Sequence, residues 1–298
     1  MSDPHSVHIL GAGSIGLLVA SYLASNHPVT LIRRPGSAPG TTRTIHRSED
    51  ERIVALEVAQ HAADRLPGEI QRLIVCTKAY DAREAVMSVA GSLGTEAAVL
   101  LMQNGLGSQD EVLDALPETP VAAATTTEGA WRRAADEVIH AGRGETRIGA
   151  LRGEGPDWAA LLNAAGLRAS NVSDIRQPLA DKLRVNALIN PLTVLHDCRN
   201  GELLGKSAAM REMAALGEET DRVLAAAGHV FPVSALERAM SVAETTAANH
   251  SSMLQDARAG RRLEIDYING YLIRLGERLG VATPVNRRVV REVNSLIR

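Results

Sequence analysis

Residues 6–26 read "SVHILGAGSIGLLVASYLASN". A short apolar run (Ser6–Leu10) meets a glycine-rich hexapeptide (Gly11–Gly16), and a helical pattern follows directly. This order predicts a strand, a tight turn and a helix whose free N–H groups face an anion. In "GAGSIG", Gly11 permits the turn, Gly13 lets the backbone approach a pyrophosphate, and Gly16 lets the helix sit close to the sheet. Gly11, Ala12, Gly13, Ser14, Ile15 and Gly16 are therefore the candidate dinucleotide contacts. A GxGxxG alone is a weak signal. The strand before it, the helix after it and a second apolar run at "PVTLIRR" supply the context that a plain glycine-rich turn lacks.

The tip of that second run bears on the cofactor. An NAD-preferring site usually carries an acid there to accept from the ribose 2′-OH. Here Arg33 and Arg34 occupy the tip, and a guanidinium forks well onto a 2′-phosphate. NADPH/NADP+ is the expected cofactor, the alternative being two arginines on a solvated loop.

Further along, "RLIVCTK", "AAVLLMQNG" and "PVAAATTTEGA" read as strands and "DAREAVMSVAGSL" as a helix between two of them. "EVIHAGRGETRIGAL" (137–151) reads as a hairpin turning at its glycines. Strand signals vanish from about Asp174. Beyond it "SAAMREMAALGEETDRVLAAAG" and "RRLEIDYINGYLIRLGERLG" read as long amphipathic helices. The expected architecture is an α/β Rossmann-type domain with a parallel sheet (residues 1–174), then an all-α domain (175–298). Lys78 and Asn104 fall at strand ends, where ligands of such sheets gather. Each is also consistent with a solvated lysine and a turn asparagine.

In the helical half, "DKLRVNALINPLTVL" (181–195) carries a narrow polar row on a greasy helix. With Lys182 at 0°, Asn186 falls near about 40°, Asn190 near about 80° and Thr193 near about 20° at 100° per residue. A solvated helix face is broad and rich in Glu, Lys and Arg; a row of short amides walled by aliphatics suits a partly dry cleft or a polar seam between helices. Hydride addition to a ketone leaves a developing alkoxide that needs a proton, which a partly desolvated ammonium can supply. Lys182 is thus the candidate acid, with Asn186 and Asn190 as positioners. Asn190-Pro191 leaves open a bend or a new helix, because Pro191 cannot donate to the carbonyl of Ala187. Ser252 and Gln255 fit an S-x-x-Q capping box, although Ser252 at a helix start equally suits a carboxylate.

Composition narrows the classes. The chain has 298 residues, 45% apolar and 22% charged, with formal net charge −3. That size accommodates two domains, and no global field draws the chain to nucleic acid or anionic lipid. Aromatics at 2% argue against base-stacking surfaces. The 2 cysteines and the absence of a basic, apolar leader pattern in "MSDPHSVHIL" point to a cytoplasmic protein. No apolar run approaches a membrane span, and no histidine spacing suggests a metal.

These motifs resemble the ketopantoate reductases (2-dehydropantoate 2-reductases) nearly end to end. "GAGSIG", "TKAYD", "QNGLG", "KLRVNALINPLT", "NGELL" and "SSMLQD…EIDYINGYL" occur in that family's order. The resemblance implies a Rossmann domain followed by a helical domain, with the active site in the intervening cleft. It implies Lys182 as general acid and Asn104, Asn186, Asn190, Asn200 and Ser252 as substrate contacts, Ser252 at the acid end of ketopantoate. Arg33 would meet the adenosine phosphate of NADPH, while Lys78, Asn104 and the Ala130 backbone contact the cofactor and Glu264 completes the site near cofactor and substrate. Glu128 departs from the family pattern, which puts the cofactor wall there in question. The implied reaction is NADPH-dependent reduction of 2-dehydropantoate to (R)-pantoate, toward pantothenate and coenzyme A, by a monomer or homodimer. A reductase of another branched 2-oxo acid and a non-catalytic NADPH sensor are the alternatives.

Overall fold

The computed structural model describes residues 6–38, 40, 42–49 and 52–297. The first five residues, which carry part of the leader-peptide reading, lie outside them. The chain divides into two compact units, residues 1–103 with 108–175, and residues 104–107 with 176–298.

The first unit is a mixed sheet with helices. Its elements are β1 (Val7–Leu10), α1 (Ser14–Leu23), β2 (Val29–Arg33), β3 (Thr42–Glu49), β4 (Arg52–Ala62), β5 (Ile70–Val75), α2 (Ala82–Met87) and β6 (Leu93–Leu101). There follow α3 (Ser108–Ala115), β7 (Val121–Thr126), β8 (Gly129–Ala134), β9 (Glu137–Gly142), β10 (Thr146–Arg152), α4 (Trp158–Ala164) and β11 (Ala169–Asn171). The strand order is β11-β10-β7-β6-β5-β1-β2-β4-β3-β9-β8. Six strands from β7 through β4 run parallel, and this is the Rossmann-like part that the sequence predicts. All four residues of β1 are buried, as befits a strand covered on both faces. Val7 and Ile9 pack with Leu17 and Leu18 of α1, whereas Leu10 joins Ile32 and Leu73 on the other face.

The remaining strands depart from the expected parallel pattern. Residues 42–49 and 52–62 form two strands that the apolar-run reading passes over. β3 is antiparallel to β4, with mostly exposed residues at the start of β4 that blur the alternation. The segment 137–151 is not a hairpin. β9 pairs with β8 and β10 with β7, so residues 121–134 form one long arm and 137–152 the other. The chain reverses at Ala135–Asp136 and only bends at the glycines. The bend is held by Glu128, whose carboxylate accepts from the Gly144 N–H (2.8 Å) and from His140 Nε2 (2.6 Å). His140 Nδ1 bonds the Tyr22 hydroxyl of α1 (2.9 Å). Sequence sees the glycines, but a Gly-Arg-Gly stretch serves a bend as well as a reversal. "DAREAVMSVAGSL" likewise splits, with α2 ending at Met87 and a 3₁₀ turn at Ala90–Ser92.

On the face of β1 away from α1, His8 is buried at 6% exposure and its Nδ1 has no hydrogen-bond partner. Burial, and then the nearby His61, pull its pKa down from 6.5 to about 4. The folded state thus refuses a proton that the unfolded chain takes up below about pH 6.5. Stability is complete above that pH and is lost as pH falls toward 4, by up to about 3 kcal/mol. His8→Leu is expected to flatten urea-measured stability between pH 6.5 and 4 relative to the parent. Equal slopes in the two proteins would reject this origin.

The second unit is helical: α5 (Arg176–Leu195), α6 (Ser207–Ala226), α7 (Ala235–Thr245), α8 (Ser252–Arg258), α9 (Asn269–Leu279) and α10 (Pro284–Leu296). Leu188, Leu192, Met213, Leu216, Leu272 and Val289 belong to its core. α5 continues through Pro191 as one helix. The carbonyl that Pro191 leaves without its helical donor, that of Ala187, accepts instead from Asn269 Nδ2 (2.9 Å). Asn269 Nδ2 also donates to Asn286 Oδ1 (3.0 Å), and Asn286 Nδ2 donates to the buried Glu219 carboxylate (2.8 Å). Glu219 further accepts from the backbone N–H groups of Val285 (3.0 Å) and Asn286 (2.8 Å), which opens α10. A helix from Arg261 does not form: Glu264 starts a 3₁₀ turn over Ile265–Tyr267, Ile268 leaves helical geometry, and α9 starts at Asn269. Among the described residues no helix is long and apolar enough to cross a membrane.

Candidate active site

In the first unit, the candidate cofactor residues gather at the C-terminal edge of the parallel strands. Gly11 adopts φ +108°, and a Cβ on Gly16 would stand 1.9 Å from the Gly11 carbonyl oxygen. Only glycine permits this closeness of loop and helix. Gly13 caps α1 with no side-chain hydrogen bond, and the first turn of α1 holds no acid. Its opening N–H groups and positive dipole end therefore suit a phosphate, so the loop fits a dinucleotide. Ala12, Ser14 and Ile15 complete the half-buried loop. Lys78 follows β5 as the residue before a 3₁₀ turn, and Ala130 is half-buried on β8. Arg33 ends β2, with Nη1 donating to the Ala38 carbonyl (3.3 Å). Arg34 points outward, its side chain 89% exposed and 3.5 Å from Asp81. The Glu128 side chain, 5% exposed and engaged with His140 and Gly144, is spent on the hairpin bend. Burial pushes the thiol of Cys76, behind the loop, up to about 12. A hollow at the opposite strand edge, lined by Pro120, Trp158 and the carboxylates of Glu154 and Asp157, matches a phosphate poorly.

In the second unit the polar row of α5 has a defined orientation. Arg184 lies about 200° around the helix from Lys182. Its guanidinium is 1% exposed, stacks 3.9 Å from the Phe231 ring, donates to Asp181 (2.9 Å) and donates to the Val233 carbonyl (2.7 Å). That anchor fixes which side of α5 presents the row. Lys182 and Asn186 are half-buried and Asn190 is 7% exposed. Among the described residues, neither the Asn186 nor the Asn190 amide makes a side-chain hydrogen bond within the protein. Burial pulls the Lys182 amine down to about 8, opposed by the attraction of the buried Glu264 carboxylate.

The lower end of the row meets α8. Thr193 Oγ1 and Ser251 Oγ are 2.6 Å apart. Ser251, not Ser252, is the helix cap, accepting from the Leu254 N–H (3.0 Å). The expected capping box is therefore displaced by one residue, and Gln255 Nε2 donates instead to the His250 carbonyl (3.0 Å). Ser252 is left exposed at the first helical position. Asn200 is buried, its Nδ2 donating to Thr246 Oγ1 (2.9 Å), while its Oδ1 has no partner. Its N–H donates to the Asn249 carbonyl (3.0 Å), which ties it to the loop leading into Ser251. Asn104 sits in the short stretch that belongs to this unit. The Leu106 N–H donates to the Tyr267 carbonyl (2.8 Å), and the Tyr267 N–H to the Glu264 carbonyl (3.0 Å). The structure thus links Lys182, Glu264 and the stretch holding Asn104 at one end of the row, and Thr193, Ser251 and Asn200 at the other. The Thr193–Ser251 pair has no motif of its own in the sequence. Among the described residues, no group of His, Cys, Asp or Glu could hold a metal.

Comparison with known proteins identifies the family. The family model for "Ketopantoate reductase PanE/ApbA" matches residues 7–153, and that for its C-terminal part matches residues 174–296. The 2-dehydropantoate 2-reductase of Vibrio cholerae is 33% identical over 98% of this chain and 97% of its own. That of Archaeoglobus fulgidus is 30% identical over 97% of both. The crystal structure of a ketopantoate reductase from Ralstonia eutropha superposes with TM-score 0.88, at 29% identity over 98% of both chains. A D-mandelate dehydrogenase with NADH and anilino(oxo)acetate shares the fold, with TM-score 0.88 at 24% identity over 98% of both chains. By sequence and by fold, this chain belongs to the ketopantoate reductase family.

Proposed function

We propose that this protein reduces the ketone of 2-dehydropantoate to (R)-pantoate with NADPH, a step toward pantothenate and coenzyme A. The carrying observation is the Lys182 amine, lowered to about 8 by burial and attracted by Glu264, at the head of a row of amides whose side chains make no hydrogen bond among the described residues. Residues 1–174 serve as the dinucleotide-binding domain and 175–298 as the substrate and catalytic domain. Bound NADPH supplies the hydride for the ketone carbon. Lys182 donates its Nζ proton to the ketone oxygen as negative charge develops there. A pKa near 8 leaves the amine protonated at neutral pH yet ready to release the proton. Glu264 keeps it charged in a half-dry setting. Asn186 and Asn190 orient the substrate's hydroxyl and carboxylate, since amides donate and accept without titrating. Asn200 offers an unsatisfied acceptor for a hydroxyl, Ser252 an exposed donor for the acid end, and Asn104 a further polar contact.

The test is loss of NADPH absorbance with ketopantoate, pyruvate and 2-oxoisovalerate. Ketopantoate carries the hydroxyl that the other two lack, and a site built to bond it should favour ketopantoate in kcat/KM by at least ~10²-fold. Equal use of all three would point to a reductase of other 2-oxo acids. No turnover of any, with NADPH still bound, would leave a binding protein without catalysis.

A further inference from the structure

Within the helical unit, the residues read as substrate contacts come from separate segments. Asn186 and Asn190 lie on α5, Asn200 in the loop after it, and Ser252 at the start of α8. A pair of buried hydroxyls joins α5 to α8. Thr193 shares the polar edge of α5 and follows Asn190 by about 4.5 Å along the helix axis. Its Oγ1 meets the Asn190 carbonyl (2.8 Å) and Ser251 Oγ (2.6 Å), and both side chains are buried. A carbonyl only accepts, so the Thr193 proton goes to Asn190 and Ser251 donates to Thr193. Ser251 Oγ in turn accepts from the Leu254 N–H (3.0 Å). Each bond thus has a fixed direction, from the α8 backbone through Ser251 and Thr193 to the α5 backbone at Asn190.

We propose that Thr193 is a positioning residue for the acid end of the substrate: acting through Ser251, it fixes Ser252 against Asn190 without itself touching substrate or cofactor. This rests on the reading of Ser252 as the contact for that carboxylate. A buried hydroxyl on a helix is satisfied by a carbonyl of the preceding turn, so the Asn190 bond alone would serve Thr193. The bond from Ser251 is the one that couples the helices. It seats the first turn of α8 on the polar edge of α5, and Ser252 is the next residue along the chain. The far end of α8 meets Asp197 through Arg258 (2.7 Å), an exposed pair of a kind that holds position weakly. The Asn200 N–H, bonded to the Asn249 carbonyl (3.0 Å), brings a further substrate residue to the same junction.

The test is steady-state reduction of ketopantoate, with NADPH binding measured separately, in Thr193→Val, Thr193→Ser, Ser252→Ala and the Thr193→Val/Ser252→Ala double variant. Valine matches threonine in shape but cannot accept the Ser251 proton. Loss of a charge-assisted bond at the acid end predicts KM for ketopantoate raised about 10-fold or more in Ser252→Ala. Thr193→Val should raise KM about 5- to 10-fold, with kcat within about threefold and the NADPH Kd within about twofold, as for lost uniform binding. Thr193→Ser keeps the hydroxyl and should hold KM within about twofold of the parent. Because both residues act through one contact, the double variant should exceed Ser252→Ala in KM by no more than about twofold. A raised KM in Ser252→Ala beside a parental KM in Thr193→Val overturns the positioning role and spares the reading of Ser252. An unchanged KM in Ser252→Ala overturns both. Losses that multiply in the double variant, or a Thr193→Ser enzyme as impaired as Thr193→Val, also overturn the role. Where Thr193→Val does not fold, Ser251→Ala carries the same prediction and the same refutation.

Discussion

Lys182→Gln is expected to lower kcat for ketopantoate reduction by about 10²–10⁴, the usual contribution of a positioned acid. The glutamine retains a donor but cannot release a proton at the ketone oxygen. The pH profile separates this role from simple positioning. In the parent, reduction should decline as pH rises through about 8, because the lowered amine loses the proton it must give. In the variant that limb should vanish. Glu264→Gln supplies the complementary shift. Removing the Glu264 attraction, which raises the amine's pKa, should move the alkaline limb below 8. A Lys182→Gln enzyme within threefold of the parent, with the alkaline limb intact, would assign the proton to another donor.

Glu219→Ala should cost about 3–5 kcal/mol, read as a lower urea midpoint at unchanged slope. The carboxylate is buried without exposure and accepts from three donors, the N–H groups of Val285 and Asn286 and the Asn286 amide. Alanine leaves all three without a partner inside the protein, and a buried orphan is expensive. The loss extends further, because Asn286 steadies Asn269 and Asn269 supplies the donor that Pro191 denies to Ala187. Asn269→Leu should therefore also destabilise the fold, by about 2–3 kcal/mol for the orphaned carbonyl. A loss under 1 kcal/mol in Glu219→Ala would mean that water or a rearranged α10 satisfies those donors.

The polar row of α5 was legible because helical spacing alone lines up Lys182, Asn186, Asn190 and Thr193, whatever packs around them. Its surroundings were less so. Two adjacent serines made the α8 cap ambiguous by one residue, and only the contact of Ser251 with Thr193 decides which one turns inward. Arg132 lies outside every motif, yet its guanidinium donates to the Ala12 carbonyl of the glycine loop from a strand more than a hundred residues away. Glu128 looked out of place in a cofactor wall, and it proves to be the clasp of the hairpin bend.

Local sequence was enough for the strand–glycine loop–helix unit, for the change from mixed α/β to helical near residue 175, and for the polar edge of α5. Each depends on neighbours within a turn or two, where sterics and periodicity act directly. The antiparallel β3, the bent 121–152 hairpin, the unbroken course of α5 through Pro191 and the reach of Arg132 to the glycine loop were decided by the tertiary structure. In each case a backbone group or a charge is satisfied by whatever the fold brings beside it, and that partner lies tens of residues away, beyond anything local periodicity encodes.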